Sequence, residues 1–342
     1  MPFTNEDYAL NTETYQRVEL AREPHGAPVE DDFRISELPM PDPGPGEVLC
    51  ATEHLSLDPY MRSQIAGRHI SGSIGIGDPM LGETVSRVLI SNDPAFEPGD
   101  LVRCFGGWRT HSLHPGKELQ RLPDDFPQSS LALSTLGMPG LTAWAGIHCL
   151  AKVNAGETVL IPAATGAVGS VASQLAKAAG CRVIGIAGTE DKCRLATNEL
   201  GYDHCINRRT QDLPTELDKH CPDGIDVYFD LIGGKLLTQA SERLAIGGRV
   251  LLCGLMADYN GESRTLGPPP GLWIRARAIA YGLVVYDFEH RRDEFLELAS
   301  SLHREGRLIS NEHVSHGLAS APSAFCQLMR GENTGKALVS ME

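Results

Sequence analysis

Two textures of hydrophobic and polar positions divide the chain. Up to about residue 135, short apolar runs such as "GEVLCATEHLSLDPYM", "ETVSRVLI" and "GDLVRCFGGW" stand between turns rich in Pro and Gly. That pattern predicts an irregular β-domain. From about residue 136, strand-like runs "TVLI", "RVIGIA", "HCIN", "IDVYFD", "RVLLCG" and "AIAYGLVVY" appear, and helical stretches such as "GSVASQLAKAAG", "EDKCRLATNELG" and "KLLTQASERLAIG" separate several of them. Such alternation predicts a six-stranded parallel sheet covered on both faces, a doubly wound α/β fold. "RRDEFLELASSLHREG" predicts an amphipathic helix, and the tail from Leu308 reads as loop and strand. The expected division is therefore residues 1–135 with 307–342 in one domain and 136–306 in the other.

Between the first two strands of the α/β part lies "ATGAVG", Ala164 to Gly169, a G-x-G-x-x-G pattern with Ala in first position. Alone the pattern is weak. Here β-type residues precede it, a helix follows, and "RVIGIA" closes a βαβ unit, which is the context of a pyrophosphate cradle rather than an ordinary tight turn. Gly166 would let the backbone approach a phosphate, and Gly169 would let the helix pack on the strand. Amides at the helix start, at Ala167 and Val168, would face the negative charge.

Which dinucleotide fits is decided at the end of the second strand. NAD sites place Asp or Glu there, bonded to the ribose 2′-hydroxyl. This strand ends "GIAGT", with Ala187 and Gly188 where an acid might stand, and Lys192, Arg208 and Arg209 follow. Cations beside a missing acid suit a 2′-phosphate, so NADP(H) is the expected cofactor. A plainer role is open to some of these residues. Thr189 can cap a helix, Glu190 and Asp191 can complement its dipole, and Lys192 and Arg194 can be solvated.

Composition narrows the function classes. The 342 residues are 42% hydrophobic and 22% charged, as in ordinary globular proteins. A net charge of −14 opposes nucleic acid and anionic lipid, so neither is an expected partner. "MPFTNEDYALNTETYQRV" lacks the basic region and apolar run of a signal peptide, and no apolar stretch approaches the roughly 18 residues of a membrane span. The cytoplasm is the expected location. Nine cysteines, an odd number without any Cys-x-x-Cys pair, read as reduced core residues rather than a disulfide frame or zinc lobe.

No catalytic metal is expected. "HLSLDPYMR" and "MLGETVSRV" supply no Cys–His pair, the Gly-His-Glu of zinc alcohol dehydrogenases is absent, and the pairs His111/His114 and His313/His316 read as incidental. G-x-S-x-G is also absent, which leaves a Ser-His-Asp hydrolase without support. The cofactor must then carry the chemistry. Without a strong Lewis acid, hydride addition to an electron-poor alkene is easier than ketone reduction, because donors can hold the developing enolate oxygen. Tyr60, in "LDPYMR", and Tyr259, in "GLMADYNG", are the candidate donors. Either could equally be a half-buried packing residue with a locally bonded hydroxyl.

These residues carry a family resemblance. "REPHGAP" (22–28), "LSLDPYMR" (55–62), "LGMPGLTAW" (136–144), "AATGAVGSVASQLAK" (163–177), "GCRVIGIAGTEDKCR" (180–194) and "GENTGKALV" (331–339) occur in order. Together they resemble the zinc-independent medium-chain dehydrogenase/reductases, in the branch of prostaglandin reductases, plant alkenal double-bond reductases and bacterial curcumin reductase. The resemblance implies a Rossmann domain joined to a GroES-like β-barrel catalytic domain, and NADPH-dependent reduction of the C=C bond of enals and enones. It implies phosphate contacts at Gly166, Ala167 and Val168 and a 2′-phosphate contact at Lys192; Gly188, and Arg208, which stands where some relatives carry a tyrosine over the 2′-phosphate, are the further cofactor contacts expected there. It further implies cofactor contacts at Met138, Thr142, Cys253, Tyr259, Leu283, Val285 and Asn333, with Leu283 and Val285 on a strand facing the nicotinamide. Tyr60 would stand at the substrate pocket, and the assembly would be a homodimer. One departure is Leu231, in "YFDLIGG", where the family carries an asparagine. Two other readings remain: an NADPH quinone oxidoreductase, and an NADPH-binding protein with a sensing or structural role.

Overall fold

The computed structural model describes residues 13–261 and 265–342. The first twelve residues, on which the signal-peptide expectation partly rests, lie outside the described residues. The chain divides into two compact units. One takes the chain to Leu133 with His313–Glu332 and Ala337–Glu342, and the other comprises Ser134–Glu312 with Asn333–Lys336.

The first unit is antiparallel β-structure, as its short apolar runs predict. Its hub is the strand Glu47–Ser56, which pairs with Thr84–Ser91, His111–Pro115 and the C-terminal strand Lys336–Ser340. A separate hairpin joins Thr14–Leu20 to Phe33–Pro39. Trp108, fully buried, stacks on Phe33 and meets Phe325 edge-on, each at 5.6 Å between ring centroids. Phe325 comes from a helix, Ala321–Arg330, within the tail expected to be loop and strand. The apolar positions 321, 324, 325, 328 and 329 have helical spacing and are all buried, so this segment was legible as an amphipathic helix.

The second unit holds the doubly wound sheet. Its strands are β1 (Thr158–Pro162), β2 (Arg182–Ala187), β3 (His204–Asn207), β4 (Ile225–Asp230), β5 (Leu244–Leu252) and β6 (Ile279–Gly282). All are parallel, in the order β3-β2-β1-β4-β5-β6. Strand order reverses at β1 and β4, which marks the carboxyl ends of those strands as the ligand-binding edge of such a sheet. Every residue of β1 is buried, because helices cover both faces.

Two element boundaries differ from expectation. The helix drawn through "KLLTQASERLAIG" ends at Ser241, and Leu244 already pairs with Ile225 in β5. Gly247, with φ of +80°, permits the irregularity through which β5 resumes its register at Arg249. The run "AIAYGLVVY" is a strand only over Ile279–Gly282, and Val285 opens a 3₁₀ turn, Val285–Arg291. Two short segments also group with the second unit. Ile309 N–H donates to Gln174 Oε1 at 2.8 Å, Gly335 N–H to Thr165 O at 3.0 Å and Lys336 N–H to Asn311 O at 2.8 Å. Among the described residues no helix is long and apolar enough to cross a membrane.

Candidate nucleotide-binding site

The site is built where β1 turns into the helix Ala167–Ala178. Ala163 holds φ at +51° and its carbonyl accepts the Gly166 N–H at 2.8 Å, which closes a tight turn. A Cβ at Gly169 would stand 2.5 Å from the Ala163 oxygen, so glycine is required there for the helix to sit on the turn. Tyr202 fastens the turn from below: its hydroxyl lies 3.0 Å from Ala164 O and 2.9 Å from Gly169 O. Gly185 makes room for its ring, since a Cβ there would come within 2.9 Å of it. The sequence reading missed Tyr202, because its role depends on a contact across 38 positions.

With the turn fixed, the first helical amides, at Ala167 and Val168, have no intrahelical acceptor and are partly exposed. Twelve residues of helix add a dipole whose positive end lies at these groups, an arrangement suited to phosphate. Gly166 is bridged to Gly335, which brings the C-terminal segment alongside, and Asn333 donates through Nδ2 to Gly335 O at 2.7 Å. Asn333 thus stands close to the cradle although 164 or more positions separate it from Gly169 in sequence.

The carboxyl ends of β2 and β3 meet beside it. Thr189 caps the helix Glu190–Glu199 by accepting the Lys192 N–H at 3.3 Å, so the capping role holds. Arg194 pairs with Asp191. Gly188 faces the guanidinium groups: a Cβ there would lie 3.6 Å from Arg209 Nε and 3.9 Å from Arg208 Nη2. Neither arginine makes an ion pair among the described residues, and both are exposed. Two guanidiniums beside a strand end without an acid form a donor set that matches a phosphomonoester and disfavours a bare ribose diol.

Across the switch point, β4 ends at Asp230, which is fully buried. Its Oδ1 accepts from Tyr228 Oη at 3.0 Å, Ile232 N–H at 3.1 Å and Gly233 N–H at 2.8 Å, while Oδ2 is buried without a hydrogen-bond partner among the described residues. Burial holds this carboxyl above the usual carboxylate range, against the pull of those donors. The Asp230 carbonyl accepts the Cys253 and Gly254 amides, which sets the direction of the loop after β5. Burial, then Asp230, pushes the Cys253 thiol up to about 12, so it is not a thiolate at neutral pH. Leu231, in place of the family asparagine, is a buried packing residue.

Tyr259 closes the short helix Met256–Tyr259 in that loop. Its oxygen accepts the Leu255 N–H at 3.4 Å, which leaves the phenolic proton directed elsewhere. Burial raises its pKa, and the Leu255 amide offsets this only in part, so the hydroxyl is a donor throughout the neutral range. Leu283 extends past β6 by donating to Leu252 O at 2.9 Å, whereas Val285 lies in the 3₁₀ turn and not on a strand. Met138 opens the helix Met138–Trp144, and the buried Thr142 bonds back to its carbonyl at 2.8 Å. Apart from Tyr60, every residue named above for cofactor or catalysis belongs to the second unit. Tyr60 belongs to the first, at the start of the helix Met61–Ile65, its ring stacked 4.8 Å from that of His69.

Comparison with known proteins agrees with this construction. Residues 16–122 match the family model described as the N-terminal domain of oxidoreductase, and residues 167–301 match the model described as zinc-binding dehydrogenase. The chain is 38% identical over 327 residues to the NADPH-dependent curcumin reductase of Escherichia coli, covering 94% of this chain and 95% of that one. It is 38% identical over 324 residues to the NADP(+)-dependent 2-alkenal reductase of Nicotiana tabacum, covering 92% and 94%. The structure of CurA from Vibrio vulnificus in complex with NADPH superposes with a TM-score of 0.91 at 37% identity, covering 96% of this chain and 99% of that one. With matches in both units and along nearly the whole length, the chain belongs to the medium-chain dehydrogenase/reductase superfamily, in the branch of the curcumin, prostaglandin and alkenal reductases.

Proposed function

We propose that the protein is an NADPH-dependent oxidoreductase that reduces the C=C bond of α,β-unsaturated aldehydes and ketones. The observation that carries the cofactor choice is the acid-free end of β2 at Gly188, faced by Arg208 and Arg209. The activities for which the curcumin and 2-alkenal reductases are named support the reaction class. Ala167 and Val168 amides would hold the pyrophosphate, Arg208, Arg209 and Lys192 the 2′-phosphate, and Met138, Thr142, Cys253, Leu283, Val285 and Asn333 the nicotinamide half. The bound cofactor supplies a hydride from the nicotinamide C4 to the substrate β-carbon.

Tyr259 donates its phenolic proton in a hydrogen bond to the substrate carbonyl oxygen as enolate charge develops there. Its amide partner at Leu255 fixes the oxygen, so the donor needs little reorganisation during reaction. With its pKa raised, it is a donor and not a proton source, and the α-carbon takes its proton from water. Tyr60 is the second proposed donor. The open edge of β6, where Ile279 is half exposed, supports homodimer formation.

The test incubates purified protein with NADPH and an unhindered alkyl enone and identifies the product by NMR. A saturated ketone is expected. An allylic alcohol would overturn the reaction class, and faster turnover of quinones than of enones would favour the quinone oxidoreductase reading. NADPH binding without turnover across enones and quinones would favour a binding role. Tyr259→Phe is expected to lower kcat by roughly 10²-fold with NADPH affinity retained; an unchanged kcat removes Tyr259 from the mechanism.

A further inference from the structure

At the opposite end of β3 from Arg208, three metal-ligating side chains converge that the cofactor site does not use. His204 opens the strand, and Glu216 and His220 stand one turn apart on the helix Leu213–His220. Their ligand atoms all lie within 4.8 Å of one another. His220 Nε2 is 3.3 Å and His204 Nε2 is 3.9 Å from the same Glu216 oxygen, Oε2. The two imidazoles stack at 3.6 Å with 12° between their planes.

Both Nε2 atoms are buried: His220 Nε2 has only the Glu216 carboxylate beside it, at ion-pair distance, and His204 Nε2, at 3.9 Å from that oxygen, has no hydrogen-bond partner among the described residues. A buried imidazole nitrogen without a partner is costly, and a cation shared with the carboxylate would remove that cost. Two imidazoles and a carboxylate are the donors that Zn²⁺ and its first-row neighbours take. Ligands at about 2.0–2.2 Å around a tetrahedral ion stand roughly 3.3–3.6 Å from one another; the His220–Glu216 separation of 3.3 Å already fits, and the 3.9 Å from His204 must close slightly.

We propose that His204, Glu216 and His220 bind a first-row divalent cation such as Zn²⁺. Stacked rings point their lone pairs side by side, so binding opens the stack until both Nε2 atoms converge on the ion. Both side chains are partly exposed, which leaves room for that rotation, and water completes the coordination. Lys219 Nζ, 3.5 Å from Glu216 Oε2 and largely exposed, swings away as the ion enters. Arg182 also acts on both rings, and the ion must outweigh its charge as well. The site is a clamp and not a reaction centre. β3 is the edge strand, and an ion here would fix its start to the following helix, roughly 13 Å along the strand from Arg208.

The test strips the full-length protein of metal and titrates it with Zn²⁺ by calorimetry and with Co²⁺ by visible absorption. One saturable equivalent and a higher Tm with metal are expected, since an ion that binds only the folded state stabilises it. His220→Gln and Glu216→Gln are each expected to weaken binding by at least the roughly 10–100-fold that loss of an outer-shell partner costs. His313→Gln, on a different strand in the other unit, should bind as the parent does. Two variants guard against one that fails to fold, with circular dichroism as the check. No saturable binding to the parent protein overturns the proposal. Binding that survives both substitutions also overturns it, and would assign the ion to cysteine thiols.

Discussion

Asp230 shows how much a single buried group decides. Its Oδ1 accepts from three donors while Oδ2 meets none among the described residues, so the charge of the ionised form is only partly compensated in this buried site. Its folded-state pKa lies above the ordinary range, so the folded protein binds this proton more tightly than the unfolded chain does. Stability from this group is therefore complete below the ordinary carboxylate pKa and falls as pH rises through the folded-state value. Asp230→Asn keeps an oxygen for the three donors and removes the ionisation. The variant should match the parent near pH 4 and exceed it at pH 8, as read from denaturant midpoints at both values. Parallel pH profiles for the two proteins would refute this assignment.

At the scale of elements, the proposed function has the ends of β2 and β3 set the cofactor preference together. Gly188 leaves space there, and the Arg208 and Arg209 guanidiniums face it. An added Cβ at Gly188 meets nothing closer than 3.6 Å, so a carboxylate can be placed there without displacing the backbone. Gly188→Asp should pair with the guanidiniums and repel the 2′-phosphate. NADPH affinity should then fall on the order of 10–100-fold, the loss of about one charge-assisted hydrogen bond, while NADH binding improves. Fluorescence titration with both nucleotides checks this, and equal losses for the two would show that Gly188 serves only the turn. The same scale sets how the two histidine pairs noted in the sequence are displayed. His111 and His114 lie three apart on the strand His111–Pro115, and His313 and His316 three apart on Glu312–His316. Side chains three apart on a strand point to opposite faces, whereas Glu216 and His220, four apart on a helix, share one.

For the whole molecule, the last ten residues tie into both units. Asn333–Lys336 groups with the second unit beside the glycine turn, and the strand Lys336–Ser340, buried throughout, continues the chain into pairing with Glu47–Ser56 of the first. Leu338 and Val339 are each fully buried, and each such side chain contributes about 1.5–3 kcal/mol. Against a total stability of roughly 5–15 kcal/mol, losing both side chains and the strand's ladder is severe. A chain ending at Glu332 should be insoluble or lack a cooperative melting transition by circular dichroism. Recovery of a folded, cooperatively melting product would show that the strand is dispensable.

What the sequence determined by itself was set by local rules. Periodicity of two or 3.6 marked most of the sheet and its helices, a β-strand–glycine–helix order marked the tight turn after β1, and a missing acid after β2 pointed to NADP(H). Those signals are readable because each depends on residues within one turn or one βαβ unit. The tertiary structure alone decided the rest. It placed Tyr202 beneath the glycine turn and Asn333 beside it, ended a helix early so that Leu244 could pair with Ile225, and made Val285 part of a 3₁₀ turn. It also brought His204 to Glu216 and His220. These arrangements depend on contacts between distant segments or on competition between strand pairing and helix propensity, and neither is written in the local pattern of a chain.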